Sequence, residues 1–289
     1  MRIAAAPISW GVCEVPGWGR VLEPATVLAE MAGLGITATE LGPPGYLPTD
    51  PAGLHTLLSW HELMLVGGFL AVPLHDPATR KSTVDQAART AELLADAGAE
   101  VLVLAAATGL DGYDERPALR PEQWDTLVET AGLVRDRAVR AGLRTVLHPH
   151  VGTHVETTAE VTRFLADSDL PLCVDTGHLL IGGTDPVELV RAHPHRVGHV
   201  HLKDVRADLA DAVRSGRTGY TEAVAQGIYV PLGEGDVDVT ELLKLLRDND
   251  YDGWYVLEQD TALPGDDTGA DQLPRRDTAR SLAFLQSVR

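Results

Sequence analysis

TVLHPHVGTHVE, residues Thr145 to Glu156, runs from a short apolar β-type stretch straight into three imidazoles and a carboxylate. Such groups are costly to bury without partners, so their place at the end of a strand asks for a shared purpose. CVDTGH (Cys173–His178) and HVHLKD (His199–Asp204) repeat the pattern: a β-type run that ends in Asp or His. Working outward, further strand-like runs cover 3–8, 38–41, 63–70, 101–105, 145–147, 172–174, 197–202 and 255–257. Helix-like segments alternate with them, starting near Glu23, Asp50, Ser82, Arg120, Thr157, Asp185, Asp238 and Arg276. Proline sits just inside several starts (Pro24, Pro51, Pro121, Pro186) and glycine just past several ends (Gly35, Gly98, Gly142), the asymmetry expected of helix caps.

Eight strand-then-helix units of about 30 residues predict an α/β fold: one (β/α)8 TIM barrel domain spanning 1–289, a parallel sheet closed on itself inside a ring of helices. An open doubly wound sheet is disfavoured, because no G-x-G-x-x-G turn follows the first strand. The stretch 205–238 reads as a helix-poor insertion after the seventh strand, and long loops of this kind often bind ligands.

Composition excludes several partners. With 24 Lys and Arg against 42 Asp and Glu, the net charge of −18 opposes nucleic acid and anionic membrane surfaces. No apolar run reaches the roughly 18 residues of a membrane span, and the N-terminal run, broken by Pro7 and Ser9, reads as a strand rather than a signal peptide. Two cysteines, Cys13 and Cys173, make no disulfide framework, and both read as ordinary buried thiols. A cytoplasmic protein is the expectation.

In such a barrel the C-terminal strand ends converge on one mouth. His148, Asp175, His201 and Glu258 then present two imidazoles and two carboxylates from four neighbouring strands, a donor set for a divalent ion such as Mn, Co, Zn or Mg. Each has a plainer reading. Asp175 before Thr-Gly would also cap a helix or turn, and the HVH histidines would also serve as satisfied core residues. Alternation puts His199 and His201 on one face, with His201 nearer the strand end as ligand and His199 deeper as support. His148 and His150 share a face as well, and the sequence leaves open which of them binds the metal. For His154 and Glu156 a solvated or helix-entry role competes evenly with a site role.

APISWGV (6–12), ATELGPPG (38–45), HPHVGT, VDTGH, HVHLKDVR (199–206), PLGEGDVD (231–238) and GWYVLEQD (253–260) together resemble the xylose-isomerase-like superfamily of sugar isomerases and epimerases, and most of all its inosose dehydratases. The resemblance spans nearly the whole chain. It implies a metal held by Glu, Asp, His and Glu, the last three mapping onto Asp175, His201 and Glu258. The first position departs, since His148 stands where isomerases and epimerases carry Glu.

That departure removes the paired glutamates of an epimerase and leaves an imidazole that suits a dehydratase, which needs one base at the α-carbon and one acid for the leaving hydroxyl. The implied activity is metal-dependent dehydration of a keto-polyol such as 2-keto-myo-inositol through an enediolate. Catalytic candidates are Glu258, His148, His150 and His178. Trp10, Glu14, Glu40, His150, His178, Lys203, Asp204 and Arg206 are the candidates for holding substrate hydroxyls, with surface ion pairing as the plainer role of Lys203 and Arg206. A ketose epimerase or aldose–ketose isomerase on the same metal site, and a non-catalytic sugar-binding barrel, are the competing readings. Barrels of this family commonly form homo-oligomers.

Overall fold

The computed structural model describes residues 1–265 and 270–288. In chain order its elements are β1 (Arg2–Ala5), α1 (Pro24–Gly33), β2 (Ala38–Glu40), α2 (Pro51–Trp60), β3 (Met64–Val72), α3 (Arg80–Asp96), β4 (Val101–Ala106), α4 (Pro121–Arg140), β5 (Arg144–Leu147), α5 (Thr158–Asp167), β6 (Leu172–Asp175), α6 (Thr176–Ile181), α7 (Pro186–Ala192) and β7 (Val197–Leu202). They continue with β8 (Asp204–Val205), α8 (Ala207–Arg214), α9 (Tyr220–Ala225), β9 (Tyr229–Val230), α10 (Val239–Asp248), β10 (Trp254–Leu257) and α11 (Gln272–Ser287).

Strands β1 to β7 and β10 close into a barrel, with β10 seated between β7 and β1 and every pairing parallel. The expected TIM barrel is therefore present. Strand β4 shows how period-two alternation builds it. Val101 and Val103 point inward and pack with Val146 and Cys173, whereas Leu102, Leu104 and Ala106 point outward into the shell of helix-packed residues. Each fully buried Leu contributes about 1.5–3 kcal/mol, so both faces of the strand stabilise closure.

Helix ends follow local chemistry. Proline occupies the first turn of α1, α2, α4 and α7. The Asp50, Thr157, Asp185 and Asp238 side chains accept backbone N–H bonds that α2, α5, α7 and α10 would otherwise leave open. Strand β1 stops earlier than its apolar run suggests, because Pro7 has no N–H for the ladder and opens a 3-10 turn over Pro7–Trp10.

The reading of 205–238 as helix-poor is corrected. This segment holds α8 and α9, flanked by β8 and β9 paired antiparallel. Its helices of eight and six residues are too short for a periodic apolar stripe to stand out. Among the described residues no helix is long and apolar enough to cross a membrane.

Candidate active site at the barrel mouth

Register brings the strand ends together. Asp175 pairs across the ladder with His201, and His201 with Val256, two residues before Glu258. His201 Nδ1 lies 3.2 Å from Glu258 Oε2 and 3.5 Å from Asp175 Oδ2, yet this buried nitrogen makes no hydrogen bond. Donors bound to one ion at about 2.0–2.2 Å stand roughly 3.0–3.5 Å apart, so an unsatisfied imidazole nitrogen facing two carboxylate oxygens at these separations fits a divalent cation. His148 Nε2 is 3.3 Å from the same Asp175 oxygen, at the edge of a donor group formed by Asp175, His201 and Glu258.

Glu40, expected to hold substrate, borders the cleft but is tied to the histidines: its Oε1 bonds His199 Nε2 at 2.8 Å and His201 Nε2 at 3.2 Å. Fixing Nε2 through a carboxylate leaves Nδ1 of His201 turned toward Asp175 and Glu258, the arrangement that orients metal-binding imidazoles. His199 is thus the deeper, supporting partner.

Asp175 combines both of its readings. Its Oδ1 accepts the His178 N–H at 2.8 Å and caps α6, while Oδ2 faces the imidazoles. Burial alone would raise the pKa of its carboxyl, but the Lys203 ammonium and the surrounding imidazoles hold it well below the usual range. Glu258 is also lowered against the effect of burial, by His201 and Lys203.

A cleft partly open to solvent lies over these groups. His150 and His148 line it, with the Phe69 ring 5.6 and 5.8 Å from theirs. His150 Nδ1 donates to the Val151 carbonyl at 2.7 Å, which leaves Nε2 as the lone-pair nitrogen. Burial, then the neighbouring His148 and Lys203, push the His150 pKa well below its usual value.

Other expected residues are placed differently. His178 does not border the cleft. It stacks on His150 at 3.7 Å and its Nε2 meets Lys203 Nζ at 3.0 Å. Trp10 is fully buried with its indole N–H on Glu30, away from the cleft. Asp204 is buried and spends its carboxylate on four backbone amides, at Val205, Gly233, Gly235 and Val237. Arg206 is exposed and pairs with Asp208, the plainer role.

Lys203, in contrast, is 2% exposed and faces the site, and Glu14 lines the cleft and accepts a bond from the Tyr113 hydroxyl. Cys173 reads as expected, a buried thiol pushed up to about 12 by burial. Cys13 is only partly buried and borders the cleft.

His154 and Glu156 resolve into packing and helix entry. Glu156 pairs with Arg116 at 3.0 Å and accepts the Gly152 N–H. His154 is buried with its ring 4.4 Å from that of His75. Burial, His75 and Arg116 lower the His154 pKa from 6.5 to about 4. Between those values the unfolded chain binds a proton that the folded chain refuses, so stability falls as pH drops through that window. His154→Phe is expected to flatten this part of the profile in urea unfolding from pH 7 to pH 4; an unchanged slope would contradict the assignment.

Sequence reasoning missed Asp260, Tyr220, Tyr229, Tyr113 and Phe69. Asp260 was within reach, since it is a second carboxylate only two residues after Glu258 in the segment that leaves β10 at the mouth. Tyr113 and Tyr220 reach the cleft from segments beyond the strands, which carry no periodic signal.

Comparison with known proteins agrees with this architecture. The family described as xylose isomerase-like TIM barrel matches residues 28–288. The chain belongs to that family. Among its relatives, inosose dehydratase of Geobacillus kaustophilus is 34% identical over 275 residues, covering 91% of this chain and 89% of that protein. Inosose dehydratase of Erwinia tasmaniensis is 32% identical over 269 residues, with 89% of each covered. Solved structures match in fold. D-allulose 3-epimerase from Methylomonas sp. in complex with D-allulose has a TM-score of 0.72 at 19% identity, covering 100% of this chain and 97% of that one. The probable 3-DHS dehydratase of petrobactin synthesis from Bacillus anthracis has 0.69 at 17%, covering 98% and 99%.

Proposed function

We propose that this protein is a divalent-metal-dependent dehydratase of inosose, 2-keto-myo-inositol, working in the cytoplasm. The observation that carries the reading is the unsatisfied His201 Nδ1 facing Asp175 and Glu258 at 3.5 and 3.2 Å beneath an open cleft. Likeness to inosose dehydratases over nine-tenths of the chain supports the substrate.

Asp175, His201, Glu258 and His148 would hold the ion, with Mn, Co, Zn and Mg as the candidates. Bound there, it supplies Lewis acidity that polarises a carbonyl and acidifies the adjacent C–H. His150 Nε2 accepts the α-proton; the electron pair forms the C=C bond as the β C–O bond breaks. The imidazolium so formed, its Nδ1–H held by the Val151 carbonyl, returns the proton to the departing hydroxyl and water leaves. The low proton affinity of this buried ring favours the second transfer. Glu14 and Lys203 line the cleft as hydroxyl partners.

Chelator-treated protein is expected to lose at least about 100-fold in dehydration of 2-keto-myo-inositol and to regain it with Mn2+ or Co2+. Mass spectrometry of the product in deuterated water reads the outcome. Full activity after complete metal removal rejects the mechanism, and deuterium in recovered substrate without loss of water would favour an epimerase.

A further inference from the structure

Lys203 shares the carboxylates assigned to the ion. Its Nζ lies 3.0 Å from Glu258 Oε2 and 3.4 Å from Asp175 Oδ2, the same two oxygens that face His201 Nδ1. A buried ammonium and a divalent cation at such short range repel each other and compete for those lone pairs. The shortest contact of Lys203 points elsewhere: Nζ meets Asp260 Oδ1 at 2.6 Å. The other Asp260 oxygen accepts the Tyr220 hydroxyl at 2.7 Å, and Tyr220 is in turn 2.9 Å from the Tyr229 hydroxyl. Tyr229 also offers its ring face to the ammonium at 5.2 Å. Lys203, Asp260, Tyr220, Tyr229 and Asp175 are buried, and Glu258 is partly buried beneath the cleft.

We propose that Asp260, held in place by Tyr220, is the resting position of the Lys203 ammonium, and that this arrangement sets the affinity of the Asp175, His201 and Glu258 cluster for a divalent cation. Asp260 and Tyr220 are positioning residues. They draw the lysine charge toward the inserted segment between β7 and α10 and leave Glu258 and Asp175 free to bind the ion. Without the ion, the same ammonium neutralises the two carboxylates, which keeps a cluster of buried anions compatible with folding. The inference rests on the reading that this cluster holds a divalent ion.

Equilibrium dialysis with Mn2+ tests it through affinity rather than activity. Lys203→Met is expected to tighten binding about tenfold, because a competing cation is removed. Asp260→Asn is expected to weaken it about tenfold, and Tyr220→Phe, which keeps every charge, to weaken it several-fold in the same direction. The double variant Lys203→Met with Asp260→Asn separates positioning from plain loss of negative charge. If Asp260 acts through Lys203, the double variant matches Lys203→Met. If it acts only through its own field, the two effects add, the double variant binds Mn2+ about as the unaltered protein does and about tenfold more weakly than Lys203→Met, and the proposal is overturned. Unchanged or weaker binding in Lys203→Met also overturns it. Absence of Mn2+ binding in the unaltered protein removes the metal reading itself, and the proposal with it.

Discussion

Asp175→Asn is expected to lower the rate of inosose dehydration about 1,000-fold and to leave purified protein largely free of divalent metal. The carboxylate is fully buried, and its Oδ2 faces His148, His201 and Lys203 at 3.3, 3.5 and 3.4 Å. An amide there cancels the negative charge at the centre of three nitrogens and points N–H groups at one of them. Losing the Lewis acid removes several kcal/mol of transition-state stabilisation, which corresponds to about three orders of magnitude. The fold should survive, because the Asn carbonyl can still accept the His178 N–H that caps α6. Metal analysis, thermal unfolding and single-turnover kinetics on one preparation separate these effects. A variant that retains metal and full rate would sink the ligand assignment.

Asp204→Ala is expected to cost about 3–5 kcal/mol of stability, since four backbone donors lose their charged acceptor in a buried setting. Its Oδ1 accepts from Val205 and Val237, both at 3.0 Å, and its Oδ2 from Gly233 at 2.8 Å and Gly235 at 3.0 Å. The stretch Pro231–Asp238 wraps this carboxylate. Gly233 takes φ +84, and any Cβ on Gly235 would collide with the Asp204 carboxylate. The loop is therefore built around an anion rather than around substrate. Chemical denaturation should show the loss, while KM of the remaining folded enzyme stays near that of the unaltered protein. A raised KM with unchanged stability would restore the role in holding hydroxyls that the sequence suggested.

The different fates of Lys203, Asp204 and Arg206 show where sequence reasoning reaches its limit. The three are near neighbours in HLKDVR, and each is a plausible hydroxyl partner by residue type. Burial sorts them: Lys203 turns into the mouth, Asp204 into its own loop, and Arg206 into solvent beside Asp208. Where β7 ends, alternation ends with it, and side-chain direction then depends on what packs against the segment.

The histidines show the same divide. That His199 and His201 share a face followed from strand geometry, and so did their meeting with Asp175 and Glu258 once eight parallel strands were recognised. Their order along the strand already put His201 nearer the mouth and His199 deeper; what no local pattern showed is that Glu40, 159 positions from His199, bonds both rings.

The barrel, the caps of most of its helices and the meeting of Asp175, His201 and Glu258 at its mouth were legible from the residues alone. Those features rest on local periodicity, capping chemistry and the fixed polarity of parallel strands, all of which act over a few residues. Long-range packing set Glu40 against His201, placed His150 rather than His178 at the cleft, and brought Asp260 to Lys203. These are contacts between distant segments, set by how loops pack over the mouth and by the need of each buried charge for a partner, and no local pattern records them.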